Sequence, residues 1–446
     1  MTPMSAIDAQ ALAVRAVSLT ASDEAEAIVM SSDSALTRFA DNRIHQNVAE
    51  HDTTISIRAV LGTKTGSAST NRMDEESLSA CAAAAVAAAA ASPADPAFPG
   101  LPEPRPATMG ENDFEAVGFG PVERAEAVRS IVEQSAVRGL TAAGTIALST
   151  DTVAVANSHG VDVATKISAI RATVLSSGEG AGTGWASHFT PSTVGFDPAA
   201  IGDEAATLAL RTTNPTDLPP GDYTVVLAPE AVADIVDFLG YVGFSARAYA
   251  EGRSFMSEKL GQRIMSDAIT IVDDALSPES CGLSFDFEGQ PKQRVTLVDS
   301  GIASTPVTDS YWAARTGLPN TGHALPAPNS IGPLPRDMQV AAGDATLDSL
   351  IRSIDKGVYV TRFHYVNVED PVPVTLTGMT RDGTFLIENG RLTHPLKNLR
   401  FTQSAISALS SVHGVTEERR LFQTMLGSAL VPGLMIEKWA FTGQTG

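Results

Sequence analysis

The sequence predicts an α+β fold, with mixed α/β units first and a C-terminal unit rich in antiparallel β-strands. Three observations carry that expectation. Helical and strand patterns alternate irregularly and show no repeat period, which suits α+β units and not a doubly wound sheet. Pro- and Gly-marked breaks at 92–106 and 218–221 divide the chain. Residues 361–404 alternate apolar and polar side chains around Asp382-Gly383 and Asn389-Gly390, dipeptides that tolerate the positive φ of tight hairpin turns.

At 446 residues the chain is too long for one ordinary core, and the breaks predict domains at 1–92, 107–217 and 218–446. Hydrophobic residues make up 43% and charged residues 18%, which excludes a disordered chain. A formal charge of −20 repels a phosphate backbone, so no nucleic-acid role is expected. Two cysteines, Cys81 and Cys281, form no disulfide framework and suit a reducing compartment. The first thirty residues hold Asp8, Asp23, Glu24 and Glu26 and no signal-peptide pattern. The apolar run at 80–91 is too short to span a membrane, which needs roughly 20 residues. A cytoplasmic protein without membrane contact is expected.

In the first unit, 6–16 reads as a helix, and 35–39, 44–47 and 54–60 read as short strands. Residues 74–91 read as a helix whose first turn carries Glu75 and Glu76, where the dipole favours acid. Six prolines make 92–106 a semi-rigid connector. The second unit reads as helix 122–139, strands 144–150, 152–156 and 166–176, a glycine-rich flexible loop 178–184, and helix 199–214. In the third, 222–227 reads as a buried strand and Pro229 opens a helix from its first position. Strands 269–272 and 294–298, a long loop 305–337 and a helix 347–356 precede the meander.

Local motifs for chemistry are sparse. Gly178, Gly180, Gly182 and Gly184 match neither phosphate-cradle spacing. Cys281 lacks a nearby cation to lower its pKa and reads as an ordinary thiol. None of the eight histidines lies three to five residues from another, so no ligand pair shares a helix turn. Asp234 and Asp237, one turn apart, could hold a hard cation. Such ions want several more oxygens, so a solvated helical face is the better reading. Arg362 and His364 leave one face of a predicted strand and are the candidate peptide-binding pair. The competing reading of that pair is a strand face half in water.

The runs TGMTRDGTF (377–385), IENG (387–390) and KNLRFT (397–402) resemble the C-terminal region of the TldD/PmbA metallopeptidase family. LTRFADNRIHQN (36–47), Asn157-Ser158-His159-Gly160 and Gly252-Arg253-Ser254-Phe255 are similar to further family segments, so the resemblance spans nearly the whole chain. The family's catalytic branch carries a His-Glu-x-x-x-His zinc helix and a late cysteine ligand. Here the helix after Pro229 has no histidine, and no cysteine follows Cys281. The chain therefore resembles the zinc-less, PmbA (TldE) branch.

That resemblance implies a heteromeric metallopeptidase acting on unstructured peptides in an enclosed chamber. Zinc would sit on a TldD-like partner subunit. This chain would carry no cofactor, catalytic residue or metal ligand, and would be inert alone. It would complete the chamber wall and bind substrate as an added strand. Self-association is left open. Two rivals stand beside it: an independent hydrolase using Asp234, Asp237 or His364, and a non-enzymatic modulator.

Overall fold

The computed structural model describes residues 3–106 and 119–444, so the expected start of the middle unit at 107 lies outside the described residues. The first part runs α1 (Ala6–Ser18), β1 (Glu24–Ala40), β2 (Arg43–Leu61), β3 (Lys64–Thr70) and α2 (Glu75–Ala91). It continues with α3 (Pro121–Ala136), β4 (Thr141–Asn157), β5 (Asp162–Ser177), β6 (Thr183–Thr190) and α4 (Pro198–Arg211). Its strands form one antiparallel sheet in the order β3-β2-β1-β4-β5-β6. The first two predicted units thus share a sheet, joined where β1 pairs with β4.

Period-2 alternation sorts the two faces of this sheet. Ala27, Val29, Ala154 and Ala156 pack under α1 and α2, while Phe39, Ile146 and Val174 pack under α3 and α4. Ile28, Val153 and Val155 point the other way, onto Leu283, Phe285 and Phe287 of the C-terminal part. The short strands expected at 35–39, 144–150 and 152–156 are pieces of long ones, the last two of a single strand, because small residues such as Ala25, Ala27 and Ala147 interrupt the apolar signal without interrupting the pairing.

The second part comprises β7 (Gly221–Leu227), α5 (Pro229–Val242), α6 (Ala246–Ala250), β8 (Ile271–Asp273), β9 (Val295–Asp299), β10 (Ile302–Ala303), α7 (Ser310–Thr316) and β11 (Asp337–Val340). Then come α8 (Leu347–Arg352), β12 (Lys356–Asp370), β13 (Thr375–Glu388), β14 (Arg391–Pro395), β15 (Leu399–Ser404), α9 (Ala405–Ser410), β16 (Val412–Gln423) and β17 (Ser428–Gln444). Strands β7, β12, β13, β15 and β17 close on themselves, since β17 pairs back with β7. Phe363 and Trp439 stack with centroids 5.3 Å apart, and Phe401 lies 4.5 Å from Phe363. From β17 the sheet extends through β11, β8, β9 and β10.

The α+β class holds, with a strand-rich C-terminal part. Asn389-Gly390 makes the expected turn between β13 and β14, with φ of 49° and 74°. Asp382-Gly383 does not turn the chain. Its positive φ values, 54° and 146°, make a bulge inside β13 where the register with β12 shifts near Arg362. The helix expected over 347–356 stops at Arg352, and the loop expected at 305–337 contains α7, capped by Asp309. Among the described residues no helix is long and apolar enough to cross a membrane.

Candidate functional site

Helix α5 is positioned by its two ends and one face. Pro229 fixes the first turn, and Val232, Ile235, Val236 and Leu239 bury the inner side in the main C-terminal core. The opposite stripe carries Glu230, Ala233, Asp234 and Asp237, spaced three and four apart, and it lines a cleft of about 580 Å³. Edge strand β6 forms another wall with Trp185 and His188, and β12 supplies Arg362, His364 and Tyr365. The cleft therefore lies between the N-terminal sheet and the C-terminal part.

Trp185 Nε1 donates to Glu230 Oε1 at 2.8 Å, and the Arg362 guanidinium sits 4.3 Å above the indole ring. Arg362 Nε and Nη2 donate to Asp382 Oδ2 at 3.1 and 2.6 Å. Thr183 Oγ1 donates to the other oxygen of Asp382 at 2.6 Å. The bulge at Asp382 thus aims one carboxylate at both parts of the molecule. Beyond Trp185, Glu230 and Arg362, which line both spaces, lies a second hollow of about 480 Å³.

The reading of Asp234 and Asp237 as a solvated face is corrected by these contacts. Asp237 is buried because the segment after β16 folds over it: the backbone N–H groups of Met425 and Leu426 donate at 3.1 and 3.2 Å. Burial pushes its carboxyl above the ordinary range, with those donors opposing. Burial, then the carboxylates of Glu230 and Asp237, push Asp234 up to about 7 against the pull of Arg362. Burial also raises Glu230, opposed first by the Trp185 N–H. Burial, then Arg381 and Arg362, lower His364. The structure places Arg362 and His364 on the same cleft as Asp234, with Arg362 already committed to Asp382.

These residues do not fit a catalytic zinc. The stripe of α5 offers carboxylates without imidazole or thiolate, and zinc sites are built mainly on those softer donors. Among the described residues no group of three or more His, Cys, Asp or Glu side chains is arranged to hold a metal. Cys281 is elsewhere, with burial and Asp337 pushing its thiol up to about 12. A Thr–His–Asp array does exist, with His323 Nδ1 2.9 Å from Thr321 Oγ1 and Nε2 2.8 Å from Asp273 Oδ1. Thr321 Oγ1 is buried and bonded to the backbone N–H and C=O of Thr308, so it presents no nucleophile.

Sequence reasoning missed Glu230 and Trp185. The signal for Glu230 was present: laid on α5, the pattern His-Glu-x-x-x-His puts Pro229 and Asp234 at the histidine places and Glu230 at its own. Trp185 carried no comparable signal, because its role depends on β6 meeting α5 across 45 residues of chain.

Fold and cleft together define a two-part α+β protein with a carboxylate-lined groove between its two parts. Family models for the PmbA/TldA metallopeptidase match at 25–89 (domain 1), 119–213 (central domain) and 220–443 (C-terminal domain). The chain belongs to the PmbA/TldD metallopeptidase family. Its fold is similar to that of TldE from Thermococcus kodakarensis, with a TM-score of 0.88 at 20% identity over 98% of this chain and 100% of that one. It is 26% identical over 226 residues, 50% of this chain and 46% of the relative, to the metalloprotease TldD homolog of Buchnera aphidicola. It is 26% identical over 202 residues, 44% of each chain, to the zinc metalloprotease TldD homolog of Saccharolobus solfataricus. The chain spans about half the length of the curated relatives it matches.

Proposed function

We infer that this chain is a zinc-less, TldE-like subunit of a heteromeric metallopeptidase for unstructured peptides. The observation that carries the reading is α5, which keeps Glu230 in the catalytic pattern but sets Pro229 and Asp234 where histidines would bind zinc. Burial and the carboxyls of Glu230 and Asp237 push Asp234 up to about 7, so this stripe takes up a proton near neutral pH. The cleft is kept although its Lewis acid is not, which suits a subunit that binds and orients.

Strand β6 supports binding by strand addition. Among the described residues it pairs with no strand but β5, and its residues Trp185, Ser187, His188 and Phe189 line the cleft. There side chains rather than a strand meet its backbone: Arg420 Nη2 donates to the Ser187 carbonyl at 2.9 Å and Thr212 Oγ1 to the Thr183 carbonyl at 2.8 Å. Main-chain pairing along such an edge holds any extended sequence and rejects folded proteins. Arg362 and His364, across the cleft, are the side chains proposed to contact the peptide.

The test is co-expression with a zinc-bearing family member from the same host. A stoichiometric complex on size-exclusion chromatography, with zinc only in the partner, is the expected result. A separate elution of the two chains at micromolar concentration overturns the heteromer.

A further inference from the structure

A separate cavity of about 290 Å³ lies between the helix-free face of the N-terminal sheet and the segment around 281–292. Asp286 shapes that segment: Oδ1 accepts from the N–H groups of Glu288 and Gln290, and Oδ2 accepts from Ala324 N–H, all at 2.9 Å. Lys292 follows, held by its N–H on the Ser284 carbonyl at 2.9 Å. Part of the lining is apolar, with Met30, Val153 and Ile167 from the sheet facing Leu283 and Phe285, and the rest is polar.

At one end the chemistry changes. The Lys292 side chain is 5% exposed, and its Nζ has no hydrogen-bond partner. The nearest carboxylate oxygens, on Asp273 and Asp337, stand 3.7 and 3.9 Å away, which balances charge without accepting a hydrogen bond. Asp273 spends Oδ2 on the N–H groups of Arg336 and Asp337, and Oδ1 on His323. Asp337 Oδ1 accepts from Ser280 and Ser428. Arg336 lines the same end, with Nε on the Leu426 carbonyl.

A buried ammonium with unspent donors is costly until an acceptor arrives. A ligand with one anionic head and an apolar body matches both ends.

We propose that this cavity binds a small organic carboxylate, either a free apolar amino acid or the apolar C-terminal residue of a peptide. The carboxylate accepts from Lys292, and the apolar group lies among Met30, Val153 and Phe285. The charge around the cavity is mixed: Arg336 lines it beside Lys292, against burial Lys292 and His323 hold Asp273 in its ionised form, and burial raises the carboxyls of Asp286, Asp151 and Asp337. Phe189 and Gln423 line both this cavity and the α5 cleft, so a chain end in the cleft adjoins it. The inference does not depend on a metallopeptidase partner, since it concerns the isolated chain.

The test is calorimetric titration of the full chain at neutral pH with leucine, N-acetyl-alanyl-alanyl-leucine and the C-terminal amide of that peptide. At least one free carboxylate is expected to bind, and the amide about tenfold more weakly or not at all, as loss of a charge-assisted hydrogen bond requires. Binding by leucine alone identifies a free amino acid; binding by the tripeptide alone identifies a peptide end. Equal binding of acid and amide, or no binding of either acid at millimolar concentration, overturns the site. Lys292→Met, checked for folding by circular dichroism, should lose the same factor. Should that variant fail to fold, the acid–amide comparison on the unaltered chain decides.

Discussion

Asp234 concentrates the electrostatics of the cleft in one proton. Its folded pKa, about 7, lies above the ordinary 3.8 because burial and two neighbouring carboxyls disfavour its charge. A raised carboxyl binds more protons folded than unfolded, so its stability contribution is full below pH 3.8 and is lost as pH rises toward 7. At about 1.4 kcal/mol per pH unit, that gap bounds the loss at roughly 4 kcal/mol. Asp234→Asn should therefore raise Tm at pH 8, leave it nearly unchanged at pH 4, and flatten the profile between; a parallel profile for both proteins would show that Asp234 is not protonated. Arg362 makes the opposite case. Its partner Asp382 is only 4% exposed, so Arg362→Met strands a buried carboxylate and should cost about 3 kcal/mol in urea unfolding. Peptide-binding tests accordingly belong on His364→Ala, whose ring touches Tyr365 and, among the described residues, joins no ion pair.

Elements show which parts of the fold a single sequence can reveal. Local signals survived: Asp74 caps α2 through Ser77 N–H at 2.9 Å, Pro229 opens α5, and Asn389-Gly390 turns the chain. Asp382-Gly383 misled, because a positive φ serves a bulge as well as a turn, and only the partner strand decides between them. The closed ring was illegible for the same reason, since β7 and β17 meet across more than 200 residues. The cleft was half legible: Arg362, His364, Asp234 and Asp237 were singled out and do converge, but their burial comes from β6 and the 424–426 segment. Alanine richness in α2 also acquires a cause. A Cβ at Gly66 of β3 would stand 2.0 Å from Ala89 N and 2.6 Å from Ala85 O, so helix and strand touch backbone to backbone. Gly66→Ala should cost about 2–3 kcal/mol by overpacking, measured by chemical unfolding; a loss under 0.5 kcal/mol would mean that α2 can slide away.

For the whole molecule, the proposed function makes activity a property of an assembly. The family is defined by metallopeptidases, yet α5 presents carboxylates without imidazole or thiolate. Activating water at neutral pH needs a Lewis acid or a well-placed base. Glu230 could serve as a base only beside such an acid, and its carboxyl is instead tied to Trp185. The isolated chain is therefore expected to leave an unstructured fluorogenic peptide intact. Mixed with a zinc-bearing relative from the same host, it should raise cleavage by at least tenfold over that relative alone, and a chelator should abolish the gain. Trp185→Ala, which removes both the indole under Arg362 and the donor to Glu230, should weaken peptide binding more than it changes the zinc content of the mixture. Chelator-insensitive cleavage by this chain alone would move the chemistry onto its own residues and restore the hydrolase reading. Full activity of the zinc-bearing relative without it would leave the cleft a binding site detached from proteolysis, because a subunit that cleavage does not need cannot be part of how cleavage selects its peptides.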